Sequence, residues 1–220
     1  MGFLNTILDI IFPVNCLACG KSGTNLCTKC LFEAPRSERE CERWIFPLYE
    51  YRHPPIKSSI WLLKYKGQKK LANIFAEAIY GRIIEELSDL SVMENFSEPI
   101  LIPVPLSSKR YRERGYNQAN LICEKLIEID NENNRTGNLK LEKGVLVKVS
   151  NQEHQAHIEN RKKRFKNIEG SFAVKNEEKI KNKNIILIDD VITTGATLSE
   201  AKKILKQHGA KNVIAFTVAH

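Results

Sequence analysis

Residues 185–197 read Ile-Ile-Leu-Ile-Asp-Asp-Val-Ile-Thr-Thr-Gly-Ala-Thr. The apolar run Ile185 to Ile188 has the length and branching of a buried strand, and Asp189 and Asp190 stand where that strand would empty into a loop. Thr193, Thr194, Gly195, Ala196 and Thr197 then open a helix expected to run to about Gln207. The first N–H groups of a helix lack partners within it and carry partial positive charge, so this corner suits a phosphate. Gly195 lets the backbone approach closely, and the threonine hydroxyls add donors. Two carboxylates repel a phosphate, but they accept hydrogen bonds from vicinal hydroxyls such as those of a ribose. Strand, acid pair and phosphate cradle together predict a site for ribose 5-phosphate. A plain helix cap would use one acid and leave the other without a role.

A second cradle is expected after Ile100–Pro105, another short apolar strand closed by prolines. The connection that follows carries Lys109, Arg110, Arg112 and Arg114, then Gly115-Tyr116-Asn117-Gln118, and leads into a helix from about Gln118 to Ile129. A basic loop at a strand's end that feeds a helix N-terminus is an anion site. Lys64-Tyr65-Lys66 reads either as an anion patch with an aromatic platform or as an exposed turn.

Four of the six cysteines fall as Cys16-x2-Cys19 and Cys27-x2-Cys30, with Gly20 and Gly23 between the knuckles. That spacing wraps four thiolates round a tetrahedral zinc ion, which would be structural because no coordination position stays open. Two disulfides or reduced buried thiols are the alternatives. Cys41 and Cys123 lie outside the pattern. Leu4, Ile7, Leu8 and Ile11 recur at helical spacing ahead of the knuckles.

The acid-acid-x-x-Thr-Thr-Gly string resembles the signature loop of type I phosphoribosyltransferases, which hold 5-phosphoribosyl 1-diphosphate (PRPP) with magnesium. Joined to Pro103-Val-Pro-Leu, to Arg114-Gly-Tyr-Asn-Gln118, to Tyr65-Lys-Gly67 and to the cysteine knuckles, it is similar to the ComF family. That family is associated with competence and fuses a zinc knuckle to a phosphoribosyltransferase domain. Its members more often carry Phe where Tyr116 stands, a change that keeps the ring. The resemblance spans roughly residues 16–219. It implies PRPP bound through Asp189 and Asp190 at the ribose and Thr193 to Thr197 at the 5-phosphate, with the Lys109, Arg110 and Arg114 loop on the pyrophosphate. It further implies a cytoplasmic role with incoming single-stranded DNA in natural transformation, with DNA-uptake machinery proteins as partners. The acceptor is left open, so a transferase acting on a base or amine and a PRPP-binding clamp on DNA both stand. Residues 150–170 would form a loop closing over the reaction centre, where Gln155, Ile158, Arg164 and Asn167 follow the family pattern. His154 and His157 are acid–base candidates there or solvent-exposed loop residues.

The elements that must position these residues follow from bulk properties and periodicity. With 42% hydrophobic and 27% charged residues, a chain of 220 is globular rather than disordered. A formal charge of +8 and a pI near 9.1 predict attraction to polyanions such as nucleic acid, nucleotides or diphosphates, the alternative being lysines and arginines that only solvate the surface. No apolar run approaches the ~20 residues of a membrane span, and residues 1–13 lack the basic start of a secretory leader, which predicts a reducing cytoplasm. The expected architecture is α/β: a mainly parallel twisted sheet flanked by helices, with strands near 100–105, 145–149, 184–189 and 212–218. The expected division is an N-terminal helix and zinc ribbon over 1–43 and a phosphoribosyltransferase-like domain over 44–220. Residues 131–140 are read as a polar hairpin or insertion.

Overall fold

Strand β6 (Asn184–Val191) organises the molecule. Its first five residues are buried, as a strand packed on both faces must be, and it lies between β7 (Asn212–Ala219) and β2 (Ile100–Pro103). The computed structural model describes residues 14–94, 96–133, 139–149 and 170–220. Within them a five-stranded sheet runs β1-β7-β6-β2-β3, with β1 Ile45–Tyr49 and β3 Lys140–Leu141 at its edges. Every pairing in it is parallel.

Side chains alternate along a strand, so the sheet sorts its residues between two cores. Ile186, Ile188, Ile214 and Phe216 face a core built with α2 (Pro54–Tyr65), α3 (Leu71–Glu94) and α5 (Gln118–Asn133). Ile185, Leu187, Val213 and Ala215 face the other, shared with α6 (Ala196–Gln207). The cysteine segment belongs to the first core. Leu26 and Leu31, the latter on the short helix α1 (Thr28–Phe32), are fully buried there with Leu63 and Leu71.

The fold class agrees with the sequence reading, and three details differ. The 145–149 segment supplies β4 (Leu146–Lys148), which leaves the sheet and pairs antiparallel with β5 (Phe172–Val174). Gly144, at φ 76°, turns the chain out of the sheet in a conformation that favours glycine. That edge of the sheet is instead Lys140–Leu141, which begins inside the 131–140 stretch read as a hairpin or insertion, whose first residues continue the helix Gln118–Asn133. The basic connection after β2 is not an open loop: Ser108–Arg114 form helix α4, capped at its start by Ser107 and at its end by left-handed Gly115.

Candidate functional site

The alternation that builds the cores also parts the two acids. Asp190 is even-numbered and turns to the α2–α5 side, where it is buried. Its Oδ1 lies 2.7 Å from Nζ of Lys64 near the end of α2, and Oδ2 accepts a hydrogen bond from Nε2 of Gln118, the first residue of α5. Asp189 falls on the opposite side of the strand and is half-buried, with Oδ1 accepting the Asp190 backbone N–H at 2.8 Å. Burial and the adjacent Asp190 charge raise the Asp189 carboxyl to about 7, against the opposing pull of the Asp190 N–H, Lys64 and Lys148. The sequence treated the acids as an equivalent pair. The structure gives Asp190 two side-chain partners and leaves Asp189 with the Asp190 backbone N–H.

Beyond β6 the chain turns through Thr193 and Thr194 to Gly195, the N-cap of α6, whose φ of 75° a side chain would strain. Thr194 Oγ1 lies 3.4 Å from the Ala196 N–H, at the first turn of a twelve-residue helix. Thr193, Thr194 and Thr197 line a cleft of about 630 Å³ together with both acids. Gly195 and Ala196 form the backbone behind them.

Four cations face the same cleft: Lys64, Arg110, Arg114 and Lys148. Arg110 and Arg114 come from the basic stretch that the sequence singled out, one turn apart on one side of helix α4. Lys109, the third residue assigned to that anion site, is exposed on α4 and is not among the cleft's lining residues. Lys148 is a residue sequence reasoning missed. It sits on β4 with Nζ 5.1 Å from the Phe172 ring centroid, and burial, with Arg110 nearby, lowers its pKa. No local motif marks it, because the Gly144 turn and the β4–β5 pairing bring it to the cleft. Four cations against two carboxylates leave a net positive site suited to a multiply charged anion. His154 and His157 lie outside the described residues, as does most of the 150–170 segment.

Beside the first core the four knuckle thiols converge, with all ligand atoms within 4.8 Å of one another. A tetrahedral zinc–thiolate site has bonds of about 2.3 Å and so sulfurs about 3.8 Å apart. Cys19 Sγ and Cys27 Sγ are 3.8 Å apart. No disulfide joins them. The thiols have unequal acidities: burial would raise Cys16, but backbone N–H groups of Cys19, Ala18 and Cys27 outweigh it and bring it to about 6. Cys30 is pushed up to about 12 by its contacts with Cys27 and Cys19. Four clustered thiols of this kind could hold a soft divalent metal ion, and their donor set fits zinc.

Among the described residues no helix is long and apolar enough to cross a membrane. The phosphoribosyl transferase domain family matches residues 118–220. Competence protein ComFC of Streptococcus pneumoniae is 31% identical over 211 residues, which cover 93% of this chain and 80% of that protein. Competence protein F of Haemophilus influenzae is 27% identical over 215 residues, covering 91% and 83%. DNA utilization protein YhgH of Escherichia coli O6:H1 is 23% identical over 209 residues, covering 90% and 85%.

Proposed function

The chain belongs to the ComF family of competence proteins, and on that premise we propose that its cleft binds PRPP with magnesium while the protein acts on or with single-stranded DNA in natural transformation. One observation carries the reading. A strand-end acid pair, a threonine-rich helix start and four cations line a single cleft of about 630 Å³. The helix start and Thr193, Thr194 and Thr197 would take the 5-phosphate, and Arg110, Arg114 and Lys148 the diphosphate. Asp189 would accept a ribose hydroxyl directly. Asp190 would accept the second by exchanging Lys64 for it, which frees an ammonium to meet the incoming phosphates. Asp189 is the oxygen donor that would hold magnesium, a hard cation, which would offset phosphate charge. Zinc on Cys16, Cys19, Cys27 and Cys30 would hold the N-terminal ribbon on the shared core.

The test is isothermal titration with PRPP and magnesium. Saturable heat is expected, and Thr194→Ala should weaken binding at least tenfold, the effect of losing about 1.5–3 kcal/mol of charge-assisted hydrogen bonding. Titrations without heat, or affinity untouched by Thr194→Ala, would overturn the assignment.

A second reading, a transferase moving ribose 5-phosphate to a base or amine, has its own support. On the far side of α4 lies a more apolar pocket of about 590 Å³ that includes Tyr111, Tyr116 and Leu146 and shares Pro105, Leu106 and Lys148 with the cleft. A planar heterocycle would fit its character. Pyrophosphate release from PRPP in the presence of a free base, without DNA, would favour this reading.

A further inference from the structure

Helix α2 carries more aromatic surface than its packing needs. Ile56, Ile60 and Leu63 already bury its inward stripe, yet Trp61 and Tyr65 stand 48% and 57% exposed on the outer side. Spaced i, i+4, they form one ridge with ring centroids 6.2 Å apart. Each ring carries a cation: Lys66 Nζ is 5.3 Å from the Trp61 centroid, and Arg114 Cζ is 4.9 Å from that of Tyr65. Arg114 also donates from Nη2 to the Tyr65 hydroxyl at 3.2 Å, while its buried Nε and Nη1 have no partner. Among the described residues no carboxylate pairs with Lys66 or Arg114. Exposed rings beside unneutralised cations are a combination that stacks bases and binds the phosphates between them, with little regard to sequence.

We propose that the Trp61–Tyr65 ridge is the track on which a single-stranded nucleic acid approaches the cleft, its bases stacking on the two rings and its phosphates meeting Lys66 and Arg114. This rests on the single-stranded DNA part of the functional reading and gives it a location. Arg114 belongs to both the ridge and the cleft, so a strand lying on α2 has its end delivered to the mouth where Asp189 and the threonines sit. The neighbouring Lys64 points into the cleft while Tyr65 points out, so the last turn of α2 serves both surfaces.

The experiment is fluorescence anisotropy of labelled oligo(dT) against the full chain at about 0.15 M salt. Trp61→Ala and Tyr65→Ala should each weaken binding roughly tenfold, and Trp61→Phe should restore most of the loss. Lys66→Ala should lower the log–log salt slope by about 0.7, whereas Trp61→Ala should leave that slope unchanged. Trp61→Ala should keep the far-ultraviolet circular dichroism and the PRPP titration of the wild type, because its side chain supports neither core nor cleft. Wild-type DNA binding that survives Trp61→Ala and Tyr65→Ala together would refute the ridge and leave the DNA reading standing. A wild type that ignores oligo(dT) would remove both.

Discussion

Lys64 and Asp190 form an ion pair at 2.7 Å with both side chains largely withdrawn from water, at 17% and 6% exposure. The pair ties the end of α2 to the carboxyl end of the central strand, and Gln118 at the start of α5 completes it. Removing one member of such a pair strands the other charge in a poorly hydrated place.

Lys64→Met should therefore destabilise the fold by about 3 kcal/mol, and Asp190→Leu by a similar amount. The double variant should cost clearly less than the two added together, because neither charge is then left alone. Urea denaturation of the three variants measures this. Strict additivity would mean that the two groups are not coupled.

Asp189 gives a pH signature of the opposite sense from a salt-bridged acid. Its pKa rises on folding from 3.8 to about 7, so between those values the folded chain keeps a proton that the unfolded chain has released. This group therefore favours folding as pH falls toward about 4 and opposes it fully above about 7. Asp189→Asn should be more stable than the wild type above about pH 7, by up to a few kcal/mol, and should converge with it near pH 4. The same variant should lose PRPP, while wild-type affinity should climb as pH rises through about 7, since only the ionised carboxylate accepts freely from hydroxyls. Thermal melts and titrations across that range test both halves.

The cysteine cluster should yield about one zinc per chain by elemental analysis. Zinc needs thiolates, so binding releases protons and the metal should be lost as pH is lowered. Cys27→Ser should cost more in stability than in PRPP affinity, because Cys27 packs with Leu26 and Leu31 in the first core and is not among the residues that line the cleft. Metal-free protein with an unchanged melting temperature would contradict a structural ion.

DNA binding should weaken as salt rises, with each phosphate contact contributing about −0.7 to the log–log slope. Arg110→Ala should reduce that slope by about one contact if the strand's end reaches the cleft, and should leave it unchanged if the strand stays on α2. Titrations of oligo(dT) at several salt concentrations distinguish the two.

The parts of the site carried by contiguous residues were legible in the sequence. Asp189 to Thr197 form one strand, turn and helix start, so the contiguous stretch told that the acids and the threonines would share one corner, and they line one cleft. The cysteine spacing likewise predicted the cluster. What the sequence could not carry was orientation and distance along the chain. Nothing local distinguishes Asp189 from Asp190. The difference appears once β6 has neighbours on both faces and Lys64, more than a hundred positions earlier, arrives on one of them. Lys148 was invisible for the same reason, since its place depends on a turn at Gly144 and a partner at Phe172. The basic stretch after β2 was recognised by charge yet read as a loop, because Ser107 and Gly115 act as caps only if a helix lies between them.

The placement of β7 has a consequence for how the chain acquires its shape. Strand β1 pairs with β7, with Ile45 opposite Ala215, 170 positions further along the 220-residue chain. A contact of such high sequence separation is entropically slow to close, so β1 must wait, edge unpaired, while α2, α3 and α5 gather locally. Assembly from the ribosome would thus leave β1 unanchored to the sheet until almost all of the polypeptide has emerged. During that interval an ion gripping the four thiols would be the chief source of local order in the cysteine segment.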